Sequence, residues 1–109
     1  MTEQDIKQGK TLAIVSYFTF IGLIIAIIQN LNKKNPFTAL HCRQMLGLIL
    51  LLIFSNITEK YVNSLLGTIL LFITFGFWSF GLISAIKGDT KLIPFIGKLF
   101  QDWFINIGK

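Results

Sequence analysis

Three uncharged runs, Thr11 to Asn32, Gln44 to Thr58 and Tyr61 to Ile86, occupy most of this chain. A bilayer core about 30 Å thick takes about 20 apolar helical residues to cross, so the first and third runs are long enough as they stand. The middle run reaches that length only if its helix begins near Pro36 and carries His41, Arg43 and Gln44 inside, which is the one costly feature of the pattern. The runs predict an all-α integral membrane protein, with three transmembrane helices and a C-terminal amphipathic helix lying in the interface. In 109 residues they leave room for one helical domain, 1–109.

Local signals set the expected boundaries at about 11–31, 36–56, 59–87 and 94–107. Asn35-Pro36 is a helix start, because Asn can cap and Pro at the first helical position loses no needed hydrogen bond. Thr58 is read as the N-cap of the third span, with Glu59 in its first turn, and Gly88 suits the C-cap. Ser16, Thr19 and Gly22 form a small-residue stripe on the first helix; Gly81 with Ala85 and Ser84 with Gly88 form small-xxx-small pairs on the third. Both sets are read as helix-packing faces. Trp78 lies too deep for the headgroup belt and is expected to pack between helices.

From Pro94 to Ile107, the residues Phe95, Ile96, Leu99, Phe100, Trp103, Phe104 and Ile107 share one stripe. At about 21 Å this segment is too short to span. It either lies in the interface or covers the end of the bundle.

Charge gives an orientation. With three spans, one side receives Lys7, Lys10 and Lys60 and the other Lys33, Lys34, Arg43, Lys87, Lys91, Lys98 and Lys109. That split of three against seven puts the N-terminus outside and the C-terminus in the cytoplasm. The net charge of +5 is gathered in clusters flanking apolar runs, which fits anionic lipid headgroups rather than nucleic acid. The opening segment has acidic residues and no small-residue cleavage site, so it is read as a retained anchor rather than a signal peptide. Cys42 is the only cysteine and is read as a packing residue.

The polar set on the second helix is the candidate site. His41 and Gln44 share a face, while Arg43 points about 160° away from His41. Arg43 can snorkel to lipid phosphates. His41 and Gln44 can clamp the helix to Gln29 or Asn30, or they can contact a ligand or partner. Lys33 and Lys34 join this set as candidate lipid or partner contacts.

Catalysis has no support in the residues: a single His beside a single Cys lacks further zinc ligands and an oriented acid, and the carboxylates sit at segment ends. No cofactor-binding or metal site is expected. Three helices enclose no lumen, so conduction would need an oligomer or a partner.

The stretch Asn35-Pro36-Phe37-Thr38-Ala39-Leu40-His41-Cys42-Arg43-Gln44, its flanking apolar helices and the closing Ile93-Pro94-Phe95-Ile96-Gly97-Lys98 resemble the small bacterial membrane proteins, of largely unknown function, that are grouped with the twenty-kilodalton subunit of the chloroplast inner-envelope import translocon. The similarity runs from about Gly9 to Phe104. It implies a helical membrane fold in the bacterial cytoplasmic membrane and, for the plastid branch, participation in protein translocation. Together with the small-residue faces, the basic cytoplasmic edge and the amphipathic tail, all suited to docking, it leads to the expectation of a non-catalytic accessory subunit of a larger membrane complex. A homo-oligomeric pore or transporter is the alternative.

Overall fold

The computed structural model describes residues 2–94 and 96–105. Five helices follow in order: α1 (Glu3–Phe18), α2 (Phe20–Lys33), α3 (Pro36–Tyr61), α4 (Ser64–Lys87) and α5 (Gly97–Trp103). They pack into a body of 45 × 23 × 23 Å. Two of them, α3 and α4, are long and apolar enough to cross a membrane, against the three expected from the sequence.

The difference lies at Thr19. The first apolar run was expected to be one helix over 11–31, yet Thr19 is extended (φ −156°, ψ 172°) and serves as both the end of α1 and the N-cap of α2. Its hydroxyl accepts from the Gly22 N–H at 3.1 Å and its carbonyl from the Leu23 N–H at 3.0 Å. The chain then folds back, and Gly22 permits the close return, since a Cβ there would run into the carbonyl oxygen of Val15. Ser16, Thr19 and Gly22, read as one packing stripe on a single helix, are therefore divided over a helical hairpin, in which Gly22 packs against Val15. On the α1 side, the Tyr17 carbonyl in the last turn of the helix accepts from the Trp78 indole N–H at 2.7 Å, which pins the break to α4 and places Trp78 between helices as expected.

At the open end of this hairpin, three asparagine and threonine side chains close the structure. Asn30 pairs with the Asn35 backbone, its Oδ1 accepting from the Asn35 N–H at 2.8 Å and its amide donating to the Asn35 carbonyl at 3.2 Å. Lys34 takes the left-handed conformation (φ 49°) in the turn. Asn35 caps α3 as the sequence predicts, accepting from Phe37 and Thr38, and its amide donates to the Asp5 carbonyl at 2.8 Å. Thr38 donates to the Gly9 carbonyl at 3.0 Å. The beginning of α1 therefore lies beside the beginning of α3.

The α3–α4 hairpin turns later than expected. Thr58 is not an N-cap; it sits inside α3, donating to the Phe54 carbonyl at 2.9 Å, and Asn63 caps α4 instead by accepting from Leu66 at 3.1 Å. Asn outranks Thr as a cap, and Val62-Asn63 also close back onto the Thr58 carbonyl. Gly88 ends α4 at φ 72°, donating to Ser84 and Ala85, as its sequence position indicates. Because α3 and α4 run out and back, the N-terminal segment, the Lys33-Lys34 turn and the segment after α4 lie at one end of the bundle.

The tail is shorter than the expected 94–107 helix. Phe95 and residues 106–109, with Ile107 among them, lie outside the described residues.

Candidate functional site

The polar residues of α3 converge on a closed network at the basic end of the bundle. Tyr17, His41 and Gln44 are each fully buried (0% exposed). His41 Nε2 lies 3.1 Å from the Asp89 carbonyl, which can only accept, so that nitrogen carries the proton of a neutral ring. His41 Nδ1 then accepts from the Tyr17 hydroxyl at 2.7 Å. The Gln44 amide donates to the same Tyr17 oxygen at 3.2 Å, and Gln44 Oε1 accepts from the Ile93 N–H at 2.6 Å. Phe37 and Tyr17 stand edge-on to the imidazole, with centroids at 4.7 and 5.5 Å. Both ring nitrogens of His41 and both ends of the Gln44 amide are engaged within the protein.

This arrangement keeps the expected clamp but changes what it joins. Gln29 and Asn30 are not its partners; the bonds run from α3 to Tyr17 on α1 and to the backbone after α4. Asn30 works separately, in the turn to α3. Among the described residues no buried side-chain nitrogen or oxygen lacks a hydrogen-bond partner, and no group of three or more His, Cys, Asp or Glu is placed to hold a metal. Chemically, the set is a lock between three segments of chain.

Arg43, read as able to snorkel to lipid phosphates, makes bonds within the protein. Its guanidinium donates to Gln101 Oε1 at 3.2 Å and to the Ile105 carbonyl at 3.0 Å, while Gln101 donates to the Leu40 carbonyl at 2.8 Å. Arg43 thus holds α5 on α3. Phe100 completes the dock, lying over Gly47, where any Cβ would enter its ring. Of the tail stripe, Phe100 is buried, Ile96 and Phe104 are half-buried, and Leu99 and Trp103 are exposed.

The remaining sequence candidates separate by burial. Lys33 and Lys34 project from the α2–α3 turn and are exposed. Gly81, Ser84 and Ala85 are buried within the bundle, Gly81 directly beneath the Tyr17 ring at 2.7 Å from a built Cβ. The small-residue faces read as helix-packing faces pack within the bundle itself. Sequence reasoning missed Tyr17, Asn35 as a tie to α1, and Gln101. Tyr17 carried a signal, being the only hydroxylated aromatic in the first apolar run.

Below the hairpin tip a lateral cleft of about 370 Å³ opens between Thr19, Phe20, Leu48, Leu52, Leu71 and Phe75. Its walls are almost wholly apolar.

Fold and site together define a class: an all-helical protein with two helices of membrane-crossing length, a helical hairpin packed against half of their length, and a satisfied polar lock at the basic end. Comparison with protein-family models, with curated proteins and with solved structures finds no match.

Proposed function

We propose that this chain is a small, non-catalytic integral membrane protein, inserted in the bacterial cytoplasmic membrane with its basic end in the cytoplasm, that works as an accessory component of a larger membrane assembly. The observation that carries membrane insertion is α4: only 22% of its most apolar 18-residue stretch is buried, the reverse of what the core helix of a water-soluble protein shows. Phe72, Phe75, Ile69, Ile83 and Ile86 point outward from it. A hydrocarbon surrounding removes that cost.

Orientation follows from charge. Lys7, Lys10, Lys33, Lys34, Arg43, Lys87, Lys91 and Lys98 gather at the end holding the α2–α3 turn, and Lys60 alone among the described cations stands at the far end. This asymmetry is steeper than that of the three-span arrangement, and it supports a crowded end that faces the cytoplasm and anionic headgroups. The accessory role is supported by the internal satisfaction of the polar lock, by a bundle too small to enclose a pore and by the resemblance to translocon-associated proteins, which suggests protein translocation or insertion as the setting.

Extraction in mild detergent followed by native mass spectrometry tests the role. A stoichiometric heteromeric complex is expected. A defined homo-oligomer that passes ions in reconstituted vesicles would replace this reading with the pore.

A further inference from the structure

The hairpin of α1 and α2 is too short to cross a bilayer, and its depth can be placed. At 1.5 Å per residue α3 is about 39 Å long, so centred on a core about 30 Å thick it extends about 4–5 Å beyond each face. The Asn35–Asp5 and Thr38–Gly9 bonds fix the hairpin's open end to the start of α3. The 14 residues of α2 then carry about 21 Å inward, which brings Thr19 to about the midplane. The cleft beneath Thr19 reports the same depth independently, because Leu48 and Leu52 lie near the middle of α3 and Leu71 and Phe75 near the middle of α4. Beyond that level neither α1 nor α2 continues: the described protein consists of α3 and α4, with Leu99, Phe100 and Trp103 of α5 bordering a groove that reaches Phe54.

We infer that the protein is a wedge whose partner is a curved bilayer, with the broad, basic end in the convex leaflet. The broad half holds α1, α2, the first half of α3, the second half of α4, and α5 against Gly47; the narrow half holds two half-helices. With each helix about 10 Å across, the broad half exceeds the narrow by about 150 Å² of cross-section before α5 is counted. What lines the narrow half identifies its surrounding as acyl chains rather than another helix. Its large outward side chains are Ile53, Phe54, Ile57, Leu65, Leu66 and Ile69, and the outward Asn56 returns its amide to the Leu52 carbonyl, whereas Gly67, Ser55 and Thr74, small residues that let helices approach, are buried between α3 and α4. A rigid body of unequal ends in the two leaflets has its lowest energy where the leaflet around the broad end is expanded. The polar lock and the Arg43 dock supply that rigidity.

The inference rests on membrane insertion, and its test separates the two. The full chain is reconstituted into phosphatidylcholine vesicles, whose zwitterionic surface removes charge-driven sorting, at diameters of about 30 and about 400 nm. Alkaline extraction first asks whether the protein is integral. Protein per lipid and tryptic cleavage at Lys91 in sealed vesicles then give density and orientation. We expect about twofold or greater enrichment on the small vesicles, with a larger fraction of basic ends facing outward than on the large ones. Equal density with the same orientation at both sizes, or enrichment with the basic end inward, would overturn the wedge while leaving insertion intact. Release by alkali at both sizes would overturn insertion, and the wedge with it.

Discussion

His41 shows how far a residue can be read from its neighbours in sequence. Its cost in an apolar helix marks it as partnered, and its shared face with Gln44 shows that the two act together. Which groups satisfy them is set by chain far away, namely Tyr17 on α1 and the backbone of Asp89 and Ile93, and no local pattern encodes that. The Tyr17 hydroxyl is the hub, donating to His41 and accepting from Gln44. Tyr17→Phe should therefore lower stability by about 1 kcal/mol, at the upper part of the range for side-chain hydrogen bonds in membrane bundles. Unfolding by graded denaturing detergent measures it, and a variant as stable as the parent would mean the network contributes nothing. Arg43→Leu should leave the bundle folded but loosen α5, because the bonds to Gln101 and Ile105 go. Faster trypsin cleavage at Lys98 is the expected sign; an unchanged rate would show that Phe100 over Gly47 holds the helix without help.

At the scale of the element, caps were legible and the break was not. Asn35-Pro36 and Gly88 act through their own geometry, so their roles follow from residue type alone. Thr19 has no such privilege, since a threonine within an uncharged apolar run is compatible with continued helix. The choice is made by groups that meet only after folding: the Trp78 indole takes the Tyr17 carbonyl, and Gly22 lets the returning backbone close on Val15. The same reasoning explains Thr58, which lost the cap position to Asn63. Two glycines in comparable apolar helices therefore predict opposite outcomes. Gly22→Ala should cost about 2 kcal/mol or more, because the atom in the way is a backbone carbonyl that cannot rotate aside. Gly76→Ala, with nothing within 4 Å of a built Cβ, should change stability by less than about 0.5 kcal/mol. Equal costs in the same unfolding assay would contradict a close return at Gly22.

For the whole molecule, the number of apolar runs was the wrong unit of count. Length and hydropathy treat the first run as a span, and only the ties from Asn35 to Asp5 and from Thr38 to Gly9 reveal that its two halves return to the level they left. Folding it back moves Lys7 and Lys10 to the end that already holds Lys33, Lys34, Arg43, Lys87, Lys91 and Lys98. A three-against-seven division of the whole chain becomes one in which Lys60 stands alone among the described cations. The retention of positive loops at the cytoplasmic face favours such a distribution over a divided one, so charge and packing support the proposed topology by separate physics. The expected outcome is that reporters fused to the N-terminus and to the C-terminus both register as cytoplasmic, and that a cysteine placed at Lys60 is labelled only from outside. Labelling positions along the first run adds the depth: Lys10 and Lys33 should react from the cytoplasmic side, and Thr19, at the hairpin tip, from neither. Fusions reporting opposite sides would restore a full crossing by the first run and remove the hairpin, because a helix continuing through Thr19 cannot also bring Asn35 back to Asp5.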